Sequence, residues 1–444
     1  MIRIVRQGEV GGLMSRLAAR SVALDSDLLA RVASIIDDVR MRGDEALIEY
    51  TRRFDGVELK PSELRVSEDV LRGSAAKVDK GTLAALRVAI ENVRAFHERQ
   101  VEQSWEISRS EGVRLGQRIT PLERVGLYVP GGTAAYPSSI VMNVVPAQVA
   151  QVERIVVTTP PRTLAENPAV GAALLELNVN EIYAVGGAQA IAALAFGTET
   201  IPRVDKITGP GNKYVAAAKK LLFGVVGIDA IAGPSEIVII ADQTARAEFV
   251  AADLLAQAEH GEDASSVLIT TDHALAQRVV EEVIKQAETL PRRSIVVSSL
   301  RDYGAVVLVD DLDEACTIVN ELAPEHVEIV TSDDEAIAAR IKHAGAIFFG
   351  SYTPEAVGDY LAGPNHVLPT GRTARFSSAL GVYDFVKRTS LLRYSAGAFN
   401  SIADSVSTLA QCEGLAAHAR SAMIRKEGVT QRRKGAKAQR KDEY

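Results

Sequence analysis

GLYV (126–129), RIVVTT (154–159), EIYAVG (181–186) and DKITG (205–209) recur along the chain, with Tyr128, Ile155, Ile182 and Ile207 spaced by 27, 27 and 25 residues. That spacing is the length of a βα unit. The segments between are alanine-rich and helix-prone, as in Ala188 to Phe196 and Tyr214 to Leu222, so they can cross over and return the chain to a parallel sheet. The pattern predicts a doubly wound α/β domain over 126–235. A second series, EIVIIAD from Glu236, SSVLITT from Ser265, SIVVSS from Ser294, HVEIV from His326 and AIFFG from Ala346, reads as strands alternating with amphipathic stretches. It predicts a second α/β domain over 236–378.

Outward from these domains the rhythm changes. Leu28, Leu29, Val32, Ile35, Ile36 and Val39 recur at spacings of three and four, the mark of a helix with one apolar face. Residues 1–125 are therefore expected to form a helical N-terminal layer packed on the second α/β domain. Beyond Ser378 the periodicity weakens, and 379–426 reads as an extended arm. The chain closes with QRRKGAKAQRKDEY. Without apolar anchors that composition does not offset its ordering entropy, so 427–444 is expected to be a disordered basic tail.

A length of 444 residues with 47% hydrophobic and 24% charged content supports more than one packed core. Fifty basic and 57 acidic side chains give 50 − 57 = −7, which provides no general field for nucleic acid or an anionic membrane. Small molecules are the expected partners. Cys316 and Cys412 are the only cysteines and neither lies in a CxxC pair, which argues against a disulfide framework or a thiolate zinc site. With no leader-like segment and no apolar run near the ~18 residues of a membrane span, the expectation is a soluble, cytoplasmic protein.

Three strand ends run into loops of Gly and Pro: Tyr128-Val-Pro-Gly-Gly132, Val185-Gly-Gly-Ala-Gln189 and Thr208-Gly-Pro-Gly-Asn212. Such loops line the ligand crevice of an open α/β sheet and admit a pyrophosphate close to backbone N–H groups. The full GxGxxG fingerprint is absent, Gly209-Pro-Gly211 supplying only its first half, and ordinary strand-to-helix turns are the favoured reading of these loops alone.

Among the seven histidines, His97, His273 and His343 read as solvent-facing or capping residues. His260 differs. Gln257-Ala-Glu-His260 sets two ligand-capable side chains three apart on one helical face, although a helix-end histidine before Gly261 explains the same letters. Asp359 precedes a Gly/Pro-rich loop, and His418 follows Glu413 by five residues. Gln, His, Asp and His would form a nitrogen and oxygen shell acceptable to zinc. Glu325-His326, after Pro324, puts a carboxylate and an imidazole side by side, suited to proton transfer near neutral pH. A surface pair is the alternative for the dipeptide by itself.

In order from Val125 to Ala419, the segments VGLYVPGG, VGGAQAIAALAFGT, GPGNKYV, IAGPSEIVIIAD, LLAQAEHG, APEHVEI, GDYLAGPNHVLPTGRTARFSS and CEGLAAHA resemble the histidinol dehydrogenase family. The resemblance implies two Rossmann-like doubly wound parallel-sheet domains with a helical N-terminal layer and a C-terminal dimerisation arm. It implies NAD-dependent oxidation of L-histidinol through L-histidinal to L-histidine, with one zinc ion per subunit. Carried over by position, the zinc ligands are Gln257, His260, Asp359 and His418, and the proton acceptors are Glu325 and His326. The NAD contacts are Tyr128, Gln189 and Asn212. Substrate contacts are Ser235, Gln257, His260, His326, Asp359, Glu413 and His418, with His366 a possible neighbour. The family is a homodimer in which Glu413 and His418 close the partner's site. Rival readings are a relative acting on another small alcohol such as a dihydroxy sulfonate, and a zinc hydrolase in which Glu325 activates metal-bound water.

Overall fold

The computed structural model describes residues 2–20, 25–131 and 136–426. Gly132 and the basic tail 427–444 lie outside the described residues. The chain forms two units, one of residues 1–101 and 121–385, the other of 102–120 and 386–444. The first unit opens with strand β1 (Arg3–Arg6) and helices α1 (Val10–Arg20), α2 (Ser26–Arg42), α3 (Asp44–Asp55), α4 (Glu68–Ala75) and α5 (Lys80–Glu98). Asp25 caps α2 by accepting from the N–H of Leu28, and Leu28, Val32, Ile35, Ile36 and Val39 are buried. The apolar spacing therefore marks the packed face, as expected. Strands β2 (Trp105–Ser110) and β3 (Val113–Pro121) follow.

The 25- to 27-residue rhythm folds into a five-stranded sheet. Its elements are β4 (Arg124–Tyr128), α6 (Pro137–Val149), β5 (Arg154–Thr159), α7 (Thr163–Glu166), α8 (Pro168–Glu176), β6 (Glu181–Ala184), α9 (Gly187–Phe196), β7 (Lys206–Thr208), α10 (Lys213–Leu222) and β8 (Gly227–Ile228). The order is β6-β5-β4-β7-β8, and all pairs are parallel. Strand order reverses direction between β4 and β7, so their carboxyl ends flank the crevice where such sheets bind ligands. Gly209 follows β7 at φ +107°, and a Cβ there would lie 2.2 Å from the carbonyl oxygen of Tyr128. Only glycine permits this close approach. Lys219 and Asp229 hold the same loop, the ammonium donating to the Gly209 carbonyl at 2.5 Å and the carboxylate accepting its N–H at 2.8 Å.

The second sheet uses β9 (Glu236–Ala241), α11 (Ala247–Ala258), β10 (Ser265–Thr270), α12 (His273–Ala287), α13 (Arg293–Tyr303), β11 (Ala305–Leu308), α14 (Leu312–Leu322), β12 (His326–Val330), α15 (Asp334–Ala338) and β13 (Ala346–Phe349), with α16 (Glu355–Tyr360) beyond. Its order is β1-β11-β10-β9-β12-β13. SIVVSS, expected as a strand, lies within α13, and the strand is the following AVVL at 305–308. Val296, Ser299 and Leu300 are buried at helical spacing, so tertiary packing decides a short apolar run that periodicity alone leaves ambiguous.

The N-terminal layer does not pack as expected. Leu28, Val32 and Val39 of α2 share a core with Ile191, Leu194 and Val215 of α9 and α10, and α4 and α5 place Leu71, Leu86 and Val93 against Ile140, Val141 and Leu174. These helices cover the first sheet. Among the described residues, β1 and α1 are the elements that join the second, through pairing with β11 and through Val5, Leu13 and Leu17. An apolar stripe states that a face is buried and is silent on which surface buries it.

The other unit contains β14 (Val386–Tyr394) in the order β14-β3-β2, then α17 (Ala396–Cys412) and helical residues 416–426. Ser395 caps α17 through the Ala398 N–H. The stretch read as weakly periodic thus contains a nine-residue strand and a 17-residue helix. Among the described residues, no helix is long and apolar enough to cross a membrane.

Candidate active site

Tyr128, Gln189 and Asn212 line one cleft of about 730 Å³, walled also by Ile35 and Tyr50 of the helical layer. Each comes from the carboxyl side of a strand in the first sheet. The Tyr128 hydroxyl accepts the Gly187 N–H at 3.0 Å, and burial pushes its phenol up to about 12. Asn212 caps α10, accepting from Tyr214 at 3.0 Å and Val215 at 3.3 Å. The size suits a large ligand. One observation independent of the loops points the same way: Asp55, at the end of α3, lines this cleft, and its Oδ2 is buried with no hydrogen-bond partner among the described residues. A ligand hydroxyl, such as a ribose carries, would satisfy it.

A smaller cleft of about 210 Å³ is lined by Ser235, His260, Glu325, His326, Asp359 and His366, with Gly209 to Gly211 on its other wall. The two sheets contribute opposite ends. The first presents the carboxyl side of β7, whereas Ser235 and Glu325-His326 precede or begin β9 and β12. One backbone residue organises Glu325 and His326: the Glu236 N–H donates to Glu325 Oε2 at 3.1 Å, and its carbonyl accepts from His326 Nδ1 at 3.0 Å. A carbonyl only accepts, so Nδ1 carries the proton and Nε2 the free lone pair. Burial lowers His326 to about 3, keeping it neutral. Burial, reinforced by the nearby Glu236 charge, raises Glu325 well above the usual carboxylate range. Buttressing this corner, Arg20 of α1 forms a buried ion pair with Glu236 at 2.6 Å.

His260 and Asp359 meet here, Nε2 to Oδ2 4.0 Å, with 34% of the His260 side chain exposed. That exposure leaves the ring open to a ligand. Glu355 joins them, and the donor atoms of His260, Glu355 and Asp359 lie within 4.8 Å of one another. Oriented with its amide nitrogen toward Glu355, buried Gln257 donates to both carboxylate oxygens, at 2.7 and 2.5 Å, and accepts from the Glu236 N–H at 3.1 Å. Burial raises Glu355 well above its ordinary range, with Asp359 and Glu325 adding to the rise. Burial likewise raises Asp359, partly offset by His260, and lowers His260, partly offset by Asp359. Crowded carboxyls beside an imidazole fit a divalent cation, whose charge would relieve their repulsion, and the nitrogen and oxygen donors suit zinc.

Glu355 was not singled out from sequence. Its signal is the four-residue spacing to Asp359 in TPEAVGDY, which puts both acids on one face of α16. His366 does border the cleft, its Nδ1 donating to the Asp359 carbonyl at 3.0 Å. His97 corrects its reading as a solvent-facing residue: it is fully buried, with Nδ1 donating to the Val93 carbonyl at 2.8 Å. His273 opens α12 beside the capping Asp272, in keeping with its reading. Glu413 and His418 are exposed residues of the other unit, at the end of α17 and within 416–426.

Two parallel sheets, a cleft large enough for a nucleotide, and a neutral imidazole next to a cation-type cluster fit an α/β dehydrogenase. A family profile for histidinol dehydrogenase matches residues 18–426, and the chain belongs to the histidinol dehydrogenase family. The histidinol dehydrogenases of Geobacillus kaustophilus and Bacillus subtilis are 56% and 54% identical to it over 397 and 400 residues, covering 89% and 90% of this chain and 93% of each relative. A crystal structure of histidinol dehydrogenase from Elizabethkingia anophelis superposes with a TM-score of 0.91 at 36% identity, covering 97% of this chain and 99% of that one.

Proposed function

We propose that this protein oxidises L-histidinol through L-histidinal to L-histidine, using both clefts and a zinc ion. The observation that carries the reading is the shared anchoring of Glu325 and His326 on Glu236 beside the His260–Asp359 cluster. NAD, held in a Rossmann-like first domain by Tyr128, Gln189 and Asn212, supplies the hydride acceptor, two per histidine formed. Zinc, one per subunit on Gln257, His260, Asp359 and His418, supplies an anchor for the substrate's imidazole and amine.

The residues of this chain then move protons. In the alcohol step, His326 Nε2 takes the hydroxyl proton as the carbinol gives up hydride, leaving the aldehyde. Next His326 Nε2 hands that proton to the carbonyl oxygen as Glu325 takes one from the water whose oxygen attacks the aldehyde carbon. The resulting hydrate gives its hydroxyl proton to His326 and its hydride to the second acceptor. Because Nδ1 is tied to a carbonyl, the imidazole cannot turn and Nε2 stays available. Ser235 contacts the substrate from the start of β9.

The second unit suits a homodimer in which Glu413 and His418 complete the partner's site. It exposes Trp105, Ile107, Leu392 and Leu409, apolar area that a second copy would cover. The free thiols Cys316 and Cys412 suit a reducing cytoplasm. The test is NADH absorbance on adding L-histidinol to the zinc-loaded protein. Two NADH per substrate are expected; none would refute the reading, and NADH with other small alcohols alone would move it to a relative of different specificity.

A further inference from the structure

Beneath the active site lies a polar residue that the proton transfers do not use. Glu328 is the second residue after His326 on β12, so both side chains project from the same face of the strand. It is 2% exposed, between the buried apolar Val327 and Ile329. Its Oε1 accepts the N–H of Glu355 at 2.7 Å, at the start of the helix that carries Asp359. Its side chain is also hydrogen-bonded to Asp253, one turn before Gln257 on α11, where residues four apart share a face.

We infer that Glu328 is a positioning residue: with Asp253 it ties β12, α11 and α16 into one frame, and so sets His326, Gln257 and Asp359 relative to one another. This rests on the zinc reading above. Two carboxyls hydrogen-bond only if they share a proton, and their surroundings supply that condition. Burial raises Glu328 to about 9, and burial raises Asp253 to about 6. Glu328 and Asp253 therefore share a proton, and the other Glu328 oxygen accepts from the N–H of Glu355. An apolar residue would pack this strand without the cost of burying a carboxyl, but it would leave the N–H of Glu355 unpaired and remove the hydrogen bonds that tie β12 to α11 and α16 at this point.

The geometry separates a positioning role from core filling. Glu328→Gln keeps both bonds, its oxygen accepting from Glu355 and its nitrogen donating to Asp253. Glu328→Leu keeps the volume and loses both. Glu328→Asp keeps the acid but falls one methylene short of spanning Asp253 and Glu355. Zinc retention against a graded chelator, kcat, and KM for NAD would be measured for all three, beside thermal unfolding. Expected is roughly 10- to 100-fold weaker zinc retention, with lowered kcat, in the Leu and Asp variants, near-wild-type values in the Gln variant, and KM for NAD within about twofold throughout. If the Leu variant does not fold, the Asp variant decides. Wild-type zinc retention and kcat in a folded Leu or Asp variant would overturn the inference while leaving the zinc reading intact. Active wild-type protein that holds no zinc would overturn the zinc reading, and the inference with it.

Discussion

His326 is fastened to Glu236, its Nδ1 donating to the Glu236 carbonyl at 3.0 Å across the start of two adjacent strands. Strand pairing sets the tautomer, since the carbonyl that receives the proton belongs to the neighbouring backbone. The same residue's N–H holds Glu325 at 3.1 Å. The two side chains thus share a rigid mount, and burial favours the uncharged form of each, lowering the imidazole and raising the carboxyl.

The proposed division of proton transfers between them predicts separable kinetics. Glu325→Gln should slow oxidation of histidinal by ~10²- to 10⁴-fold while sparing the alcohol step, because only the aldehyde step needs an activated water. His326→Ala should slow both. Single-turnover measurements started from histidinol and from histidinal distinguish them, and equal losses in both steps for the Glu variant would refute the assignment.

Gly209, on the wall of the smaller cleft and three residues before Asn212 of the larger one, tests the loop after β7. A Cβ there would meet the Tyr128 carbonyl at 2.2 Å, at a φ of +107°. Gly209→Ala should therefore displace the loop after β7, costing ~1–3 kcal/mol of stability, and raise KM for both NAD and histidinol, since the loop itself walls the smaller cleft and carries Asn212 into the larger one. Thermal unfolding with steady-state kinetics in both substrates measures it. Unchanged KM for NAD would place the dinucleotide away from this loop.

His326 also sets a pH dependence of stability. Its folded value of about 3 lies below the ~6.5 of an unfolded histidine, so between these values the unfolded chain binds more protons and stability rises with pH. Its contribution is full above ~6.5 and is lost as pH falls toward 3. Glu325, raised by burial, acts with the opposite sign: its contribution is present below the unfolded carboxyl value and is lost as pH rises through the folded one. Chelator-treated His326→Gln should thus show a shallower fall in Tm between pH 6.5 and 4 than wild type. Parallel curves would mean that the imidazole is not held neutral.

The shared-site proposal makes a prediction that a single-chain site fails. Asp359→Ala and His418→Ala should each be inactive alone. If Asp359 of one subunit meets His418 of another, a mixed dimer has one site with both lesions and one with neither. Co-refolded variants should then regain about a quarter of wild-type activity, as roughly half the dimers are mixed and half their sites intact. No recovery in a mixture verified to contain mixed dimers would assign His418 to its own subunit's site.

The sequence alone determined the βα rhythm, the glycine loops after β4, β6 and β7, and the residue types from which a site could be drawn, because those depend on contacts close along the chain. Local alternation distinguishes a strand from a helix only when the run is long enough, and SIVVSS was too short, so packing of Val296 and Leu300 made it helical. Tertiary structure alone decided that α2 to α5 cover the first sheet, that His97 is buried, and that Glu355 and Glu328 stand beneath the site. The reason is physical. Periodicity records which side of an element leaves water, whereas the identity of its neighbour, and the carboxyls forced together there, follow from closing loops tens to hundreds of residues long around a close-packed core.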